Sequence, residues 1–349
     1  MAQRHMKAAI LVEQRAPLVL EEVALPEALQ WGQVLVEIVY SGICGSQLGE
    51  IEGVKGPDKY LPHLLGHEGS GVVLETGPGV KTVRPGDTVV LHWMKGKGVE
   101  AEPPVYQCSR GKLNAGWVTT FNELAVVSEN RLTPIPSDSD MEIAALLGCS
   151  VTTGLGVIKN DAQVQIGESV VVLGAGGVGL NVVQGAQMAS AHPIIAVDLF
   201  QNRLELAARF GASHLVNARD CDARARILEI MGGAPIDVVV DNTGSPRMIE
   251  LAYELAGPSG RVILVGVPPK GQNASLHTLP LHFGKSLRGS HGGGTKPESD
   301  IPRYLGLLNA GKMHLKDLIT QRFPLSEINS AIEQMRSGEI AGRCLIRMK

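Results

Sequence analysis

The sequence predicts an α/β protein with two domains, one rich in β-strands and one built on a doubly wound parallel sheet. The chain has 349 residues, about the length of two domains. Its residues are 44% hydrophobic and 19% charged, which suits packed cores and excludes a disordered chain. Near residue 155 the apolar pattern changes from short runs broken by Gly and Pro to alternating strands and helices.

The first domain is predicted to comprise residues 1–150 and to be completed by residues 290–349. Short apolar runs separated by turn residues indicate its strands, at 8–12, 33–40, 71–75, 87–92 and 120–127. The C-terminal part adds a turn, two helical patterns and a strand, at 292–294, 300–310, 325–336 and 344–348.

The second domain is predicted to comprise residues 151–289. A strand at 170–173 leads through a glycine cluster into a helical pattern at 179–190 and a strand at 194–198, which form one right-handed βαβ unit. Helices and strands then continue to alternate, at 202–210, 237–241, 246–255 and 261–267. This order indicates a parallel sheet with helices on both faces.

The glycine cluster follows a strand and opens a helix, as in a Rossmann dinucleotide-binding domain. Its glycines allow a sharp turn, a close approach of the backbone to a pyrophosphate, and tight packing of the helix on the strand. The helix N-terminus then holds the phosphates. An ordinary turn can carry a similar pattern, but the flanking strand and helix favour a cofactor site. Its predicted contacts are Gly174, Gly176, Gly177, Val178 and Gly179.

Asp198 ends the next strand, about 20 residues past the glycines. A carboxylate there can accept hydrogen bonds from both hydroxyls of the adenosine ribose and repels a 2′-phosphate, which favours NAD over NADP. The alternative role for Asp198 is a helix N-cap. Arg203 lies close enough in sequence to contact the ribose, although a guanidinium also pairs well with a phosphate. The sequence therefore predicts NAD as the cofactor.

Charge and cysteine content narrow the range of partners. The net charge of −3 gives no positive field to attract nucleic acid or anionic lipid. No apolar run reaches the length of a membrane span, and the polar start has no signal-peptide pattern, so we expect a cytoplasmic protein. Five cysteines, an odd number spread along the chain, indicate free thiols or metal ligands. Because the net charge does not favour nucleic acid or anionic lipid, small molecules are the expected partners.

A His-Glu pair precedes one of the predicted strands, within Gly66-His67-Glu68-Gly69. Alone, such a pair is usually surface chemistry. Together with four other segments in the same order, however, it makes the chain from Met6 to Met348 resemble the zinc-dependent alcohol dehydrogenases of the medium-chain dehydrogenase/reductase superfamily. The five matching segments, including the His-Glu pair, are residues 42–46, residues 66–68 with Gly71, Gly77 and Gly79, residues 85–87, residues 148–154 and the glycine cluster. The resemblance implies that the first domain is GroES-like and the second a Rossmann domain.

The resemblance also implies that Cys44, His67 and Cys149 bind one catalytic zinc, with water or a substrate oxygen as fourth ligand. Two thiolates and an imidazole form a set that suits tetrahedral Zn²⁺. The alternative is that both cysteines are simply small buried residues. In the family, the residue that matches Glu68 sits behind the metal and enters during ligand exchange; the alternative for Glu68 is a charge that balances the site. Ser46 matches the hydroxyl that relays the substrate proton toward the nicotinamide ribose, where otherwise it would be a turn residue.

Three departures from the family pattern change these expectations. Gln47 replaces an Asp that orients the zinc-bound histidine, and an amide raises ligand basicity less than a carboxylate does. Gly49 replaces the histidine that ends the proton relay, so we expect the relay to end in water. The segment between residues 95 and 117 contains one cysteine, Cys108, whereas the same segment of family members with a structural zinc contains four. One thiol cannot build a closed site, so no structural zinc is expected and ordinary packing must hold this lobe, with Tyr106 and Trp117 as apolar anchors.

The remaining predicted contacts rest on the resemblance alone. Trp93 matches an aromatic wall of the substrate pocket, although a place in the core is an equal alternative. Four other residues match positions that line the nicotinamide ring and also fit an ordinary Rossmann core: Thr153, Val178, Val265 and Val267.

The resulting prediction is a zinc-dependent, NAD-linked alcohol dehydrogenase, acting on an alcohol or the corresponding aldehyde or ketone, and forming a homodimer or homotetramer. A polyol or sugar dehydrogenase on the same scaffold is the first alternative. A zinc-free quinone or enoyl reductase would have no use for the two cysteines and the histidine together. A nucleotide-binding protein without turnover is the alternative outside enzymes, and Gln47 and Gly49 would then mark the loss of activity. The sequence does not specify which alcohol is bound.

Overall fold

The structure is a computed structural model that describes residues 4–349, so Met1, Ala2 and Gln3 of the polar start lie outside the described residues. The chain divides into two compact units. The first comprises Met1–Cys149 and Lys296–Lys349, and the second comprises Ser150–Thr295. Across residues 4–349, no helix has the length and hydrophobicity needed to span a bilayer.

Helices and strands follow one another along the chain in a mixed order. They are β1 (His5–Leu11), β2 (Val19–Ala24), β3 (Gln33–Gly42), α1 (Gly45–Ile51), β4 (His63–Leu64), β5 (Glu68–Thr76), β6 (Thr88–His92), β7 (Tyr106–Cys108), β8 (Gly111–Leu113), β9 (Leu124–Ser128), β10 (Leu132–Ile135), α2 (Met141–Leu146), α3 (Ser150–Gly156), β11 (Val170–Leu173), α4 (Gly177–Met188), β12 (Ile194–Asp198), α5 (Gln201–Arg209), β13 (His214–Asn217), α6 (Ala223–Met231), β14 (Ile236–Asp241), α7 (Pro246–Leu255), β15 (Ala256–Leu264), β16 (Ser286–Gly289), α8 (Pro297–Asn309), β17 (Ile319–Pro324), α9 (Ile328–Ser337) and β18 (Arg343–Arg347).

The first unit contains two sheets. The smaller sheet has the strand order β4-β1-β2-β7-β8, and the larger has the order β10-β6-β5-β3-β18-β17, with β9 also paired to β3. Along β3, Val34, Val36 and Ile38 are at most 1% exposed and belong to one core cluster. Because alternate residues of a strand share a face, the pattern that predicted this strand buries one side of it.

One predicted strand of this unit starts late. The sequence predicts a strand at 120–127, whereas β9 begins at Leu124. The backbone N–H groups of Thr120 and Phe121 both donate to the Leu65 carbonyl, at 3.0 and 3.1 Å. Two successive donors on one carbonyl form a loop contact rather than a strand ladder, so residues 120 and 121 lie outside the strand.

The second unit contains a parallel sheet with the order β13-β12-β11-β14-β15-β16. All four residues of β11 are fully buried between the parallel strands β12 and β14. Because β12 and β14 lie on opposite sides of β11, the C-terminal end of β11 is a topological switch point, where α/β sheets bind ligands. The glycine cluster follows β11 directly.

The largest differences from the predicted boundaries in this unit are at the start of α4 and at both ends of β15, which begins at Ala256 rather than at 261. Helix α4 starts at Gly177 rather than at 179. Strand β15 ends at Leu264 rather than at 267, because the N–H groups of Val265 and Gly266 both turn to the Asp241 carbonyl, at 2.8 and 3.0 Å. Four elements of this unit were not predicted, namely α3, β13, α6 and β16.

Candidate functional site

Three side chains of the first unit converge from separate parts of its chain. Cys44 follows β3 and is the N-cap of α1, His67 lies between β4 and β5, and Cys149 follows α2. One sulfur or ring-nitrogen atom of each lies within 4.8 Å of the other two, and the two Sγ atoms are 4.0 Å apart. A disulfide needs a distance of about 2 Å, so the two cysteines are not joined by one. The structure therefore brings together the three residues that the sequence predicts as metal ligands.

The donor set fits a metal chemically as well as in position. The Nε2 atom of His67 is buried and has no hydrogen-bond partner among residues 4–349, a costly arrangement for a polar atom unless it binds a ligand. The hydrogen bond from Cys149 holds the pKa of Cys44 well below its ordinary value, and His67 and Arg343 lower this pKa further. The thiolate is the metal-binding form of cysteine. Two soft sulfurs and one imidazole match Zn²⁺.

Gln47 contacts two of these residues at once. Its amide oxygen accepts the N–H of Cys44 at 3.1 Å, and its amide also meets Nδ1 of His67. The side chain is only 2% exposed, so solvent does not compete for these contacts. The contact with Nδ1 is made by the amide nitrogen, so Gln47 holds the ring as a donor, whereas a carboxylate at this position would accept from Nδ1.

Glu68 is paired with an arginine that the sequence analysis did not identify. It is fully buried and forms an ion pair with Arg343 of β18, which is 3% exposed. A side chain at Gly42 would collide with this carboxylate, since its Cβ would lie 2.6 Å from Oε1 of Glu68. The charge of the Glu68 carboxylate is therefore balanced by Arg343. Sequence spacing gave no signal for Arg343, because it lies far along the chain.

Ser46 and Trp93 also lie near the three ligands. Ser46 is exposed in the first turn of α1, two residues after Cys44, and its hydroxyl makes no hydrogen bond within the described part of the chain. The ring centroid of Trp93 is 6.4 Å from that of His67, and the ring planes are tilted by 58°. Trp93 is partly exposed, which places it beside the ligands rather than in the core.

In the second unit, the glycine cluster has the backbone that a pyrophosphate site requires. Gly174 has a φ of +90°, which favours glycine. A Cβ at Gly179 would lie 1.9 Å from the Gly174 carbonyl, whereas a Cβ at Gly176, the N-cap of α4, would meet nothing within 4 Å. Gly174 thus makes the turn and Gly179 allows the close packing. Gly176 leaves open space at the helix N-terminus, where α4 begins.

Asp198 ends β12 and is already hydrogen-bonded to this loop. Its two carboxylate oxygens accept the N–H groups of Ala175, at 2.8 Å, and Phe200, at 3.0 Å. Arg203 approaches the same carboxylate to 3.8 Å. Arg219, which the sequence analysis missed together with β13, shares the Phe200 ring with Arg203, at 4.4 and 4.6 Å from its centroid.

The predicted nicotinamide contacts differ in exposure. Thr153 in α3 is 6% exposed, and Val178 and Val265 are partly exposed. Val267 is 61% exposed, beyond the end of β15, so the alternative of an ordinary core residue is wrong for this position.

Known proteins match the chain over most of its length. Residues 30–137 match the family model of the alcohol dehydrogenase GroES-like domain, and residues 177–310 match that of the zinc-binding dehydrogenases. The alcohol dehydrogenase class-3 of Cereibacter sphaeroides is 33% identical, over 95% of this chain and 97% of its own. The chain belongs to the zinc-dependent alcohol dehydrogenases. This confirms the family, the fold class and the enzyme class predicted from the sequence.

Two further relatives extend this comparison. The S-(hydroxymethyl)glutathione dehydrogenase of Paracoccus denitrificans is 31% identical, over 95% of this chain and 97% of its own. The crystal structure of benzyl alcohol dehydrogenase from Acinetobacter calcoaceticus superposes with a TM-score of 0.88 at 29% identity, covering 99% of this chain and all of that one.

In this alcohol dehydrogenase the lobe at residues 95–117 is anchored differently from the prediction. Tyr106 is fully buried, and its hydroxyl accepts the N–H of Val126 at 2.8 Å. Trp117 is 46% exposed, so the expectation that it is an apolar anchor is wrong; its ring instead lies over the guanidinium of Arg131, at 5.3 Å. Cys108 is a free thiol.

A buried carboxylate ties this lobe to the rest of the first unit. Glu129 is 1% exposed, and its Oε1 accepts the N–H groups of Lys81 and Thr82, at 2.6 and 2.7 Å. Its Oε2 accepts the N–H of Val99 in the lobe, at 2.6 Å. Burial alone would raise the pKa of Glu129, but these hydrogen bonds bring it below its ordinary value. The carboxylate thus joins two loops through charge-assisted hydrogen bonds.

Glu129→Gln is expected to lower the free energy of unfolding by about 2 kcal/mol, because its amide NH₂ group would face an N–H donor in place of a carboxylate oxygen. Urea denaturation measures this change. Glu102→Gln, at an exposed position in the same lobe, is the matched control and should change stability by less than about 0.5 kcal/mol. Equal midpoints for the two variants would contradict this role of Glu129.

Proposed function

We propose that the protein transfers a hydride between an alcohol, or the corresponding aldehyde or ketone, and NAD, with one catalytic zinc held by Cys44, His67 and Cys149. The convergence of these three ligands carries the proposal, together with a His67 Nε2 that has no hydrogen-bond partner among residues 4–349. Bound zinc would supply Lewis acidity, which makes an alcohol proton easier to remove. The cofactor would supply the redox chemistry.

The chain's own residues then have separate tasks. Cys44 and Cys149 hold the metal as thiolates, and His67 holds it through Nε2, which requires the proton on Nδ1 and the amide oxygen of Gln47 turned toward it as acceptor. The exposed hydroxyl of Ser46 accepts the alcohol proton and passes it to water, since no histidine stands at position 49.

The second unit binds and orients NAD. The glycine cluster and the N-terminus of α4 hold the pyrophosphate. Asp198 accepts hydrogen bonds from the adenosine-ribose hydroxyls, with Arg203 alongside. Thr153, Val178, Val265 and Val267 remain our predicted contacts of the nicotinamide ring.

Absorbance at 340 nm tests the reaction. The enzyme with NAD⁺ or NADH is assayed against primary alcohols, polyols, aldehydes and S-(hydroxymethyl)glutathione. Turnover of primary alcohols or their aldehydes supports the proposal. Turnover of polyols alone would favour the polyol dehydrogenase, and no turnover with any of them would contradict an alcohol oxidoreductase.

One zinc per chain is the expected result of elemental analysis. The lobe that holds four cysteines in other members has only Cys108. A second group with metal-binding side chains, Glu50, Asp58 and His63, is satisfied internally: the His63 ring donates from Nδ1 to the Leu64 carbonyl at 2.9 Å, and its Nε2 is 2.8 Å from Asp58. Two tightly bound zinc ions per chain would contradict this count.

We also propose that the protein is a homodimer or homotetramer. Strand β16 is at the edge of the parallel sheet, and the segment before it exposes 55% of Leu279 and 74% of Phe283. An open sheet edge beside exposed apolar side chains is typical of an interface. Light scattering should give a multiple of the chain mass of 37.0 kDa, and a value equal to that mass would contradict the proposal.

A cytoplasmic location remains our prediction. The thiols of Cys44 and Cys149 lie close enough to meet, and an oxidising compartment would threaten their use as metal ligands. Fractionation of the source cells tests this location.

A further inference from the structure

The backbone around Trp93 is held by buried side chains on both sides. The guanidinium of Arg131 donates from Nη1 to the Trp93 carbonyl at 2.7 Å. His92 donates from Nδ1 to the next carbonyl, that of Met94, at 2.7 Å. A carbonyl only accepts, so Nδ1 of His92 carries the proton and Nε2 accepts from the Thr133 hydroxyl, at 2.9 Å. Burial lowers the pKa of His92 to about 4, which keeps this arrangement neutral near pH 7.

Arg131 is itself fixed from two directions. Its side chain is 8% exposed, and Nη2 lies 3.3 Å from a carboxylate oxygen of Glu100. The Trp117 ring covers the guanidinium carbon at 5.3 Å. Burial lowers the pKa of Arg131, and Glu100 opposes that shift. A guanidinium held by an ion pair and a ring has little freedom, so the Trp93 carbonyl that it binds is held equally firmly.

The position of Trp93 makes this restraint relevant to the reaction. Its ring lies 6.4 Å from that of His67, a predicted zinc ligand. We propose that Arg131 is a positioning residue that limits the bulk of the alcohol accepted, by holding the Trp93 backbone so that the indole stays beside His67. This inference rests on the proposed function and on the sequence-based prediction that Trp93 lines the substrate pocket. Arg131 itself touches neither the ligands nor the substrate.

Arg131→Met removes the donor while keeping a flexible, unbranched side chain that fills part of the same space. The ratio of kcat/KM for benzyl alcohol to that for ethanol is expected to rise about tenfold, mainly through KM, because a relaxed indole admits the larger ring. Arg131→Lys, which retains one charged donor, should restore most of the original ratio. Arg84→Met, at an 86% exposed arginine side chain of the same unit, is the matched control and should leave the ratio unchanged.

A double variant separates positioning from a general loss of stability. If Arg131 acts through Trp93, adding Arg131→Met to Trp93→Ala must leave the ratio where Trp93→Ala puts it. An independent change of the ratio in that background would overturn the proposal. So would an equal loss of kcat/KM for both alcohols in Arg131→Met, since that is the result of a purely structural role.

Fluorescence provides a test that does not depend on turnover. The chain has 3 tryptophans, so Trp31→Phe with Trp117→Phe leaves Trp93 as the single reporter and keeps an aromatic ring over Arg131. In this background Arg131→Met should increase acrylamide quenching of Trp93, and Arg131→Lys should not. Unchanged quenching in Arg131→Met would overturn the positioning role. Increased quenching in a protein that turns over no alcohol would instead contradict the proposed function alone.

Discussion

Cys149→Ser is expected to lower kcat/KM for alcohol oxidation at least about a thousandfold while the protein keeps its cooperative thermal unfolding. A serine hydroxyl is a poor substitute for a thiolate on Zn²⁺. Lewis-acid stabilisation of a reacting oxygen amounts to several kcal/mol, and each 1.4 kcal/mol is about tenfold in rate. The fold should persist because Ser is close to Cys in size and position 149 is only 6% exposed.

Activity, zinc content and thermal unfolding are measured on the same preparation. Cys344→Ser is the matched control: this cysteine is also buried, but its Sγ contacts Met335 and it belongs to no metal-binding group among residues 4–349. The control should keep its zinc and its activity. Undiminished activity in Cys149→Ser would show that the site is not the zinc site, and loss of its cooperative unfolding would indicate a structural metal instead.

The parts of the fold that local sequence determines were predicted closely. The run of β-branched residues and the glycine cluster place β11 and the start of α4 within two residues, because full burial and tight turns restrict which residue types are possible. Strand β13 was missed because its four residues include only two apolar ones, Leu215 and Val216, which is too short a pattern to recognise.

Contacts between distant parts of the chain could not be predicted in the same way. The ion pair of Glu68 with Arg343 depends on β18 pairing with β3, a register that no local pattern specifies. Glu129 likewise looks like a surface residue in the sequence, yet it is buried under backbone N–H donors from two loops. The ligand set was predictable only because the resemblance supplied the pairing of segments that are far apart in the chain.

NAD⁺ is expected to exceed NADP⁺ in kcat/KM by at least about tenfold, because a 2′-phosphate would add charge beside the carboxylate of Asp198. A like-charge pair at about 4 Å costs on the order of 4 kcal/mol at an effective dielectric near 20. Arg203, 3.8 Å from Asp198, and Arg219 on the same Phe200 ring offset only part of this cost. Removing the carboxylate should therefore reverse the preference.

Asp198→Ala should shift the NAD⁺ to NADP⁺ ratio toward NADP⁺ by at least about a hundredfold, equivalent to roughly 2.7 kcal/mol of relieved repulsion. Because Asp198 also accepts the Ala175 N–H, Asp198→Asn is the matched variant: its amide oxygen can keep that bond while the charge is removed. Similar ratios in the two variants would assign the selectivity to charge rather than to the shape of the loop.

Adding Arg219→Gln to Asp198→Ala should reduce the gain in kcat/KM for NADP⁺, since the Arg219 guanidinium has no carboxylate partner within residues 4–349 and is available to a 2′-phosphate. If the unmodified enzyme uses NADP⁺ equally well, or if Asp198→Ala leaves the ratio unchanged, Asp198 does not select the cofactor.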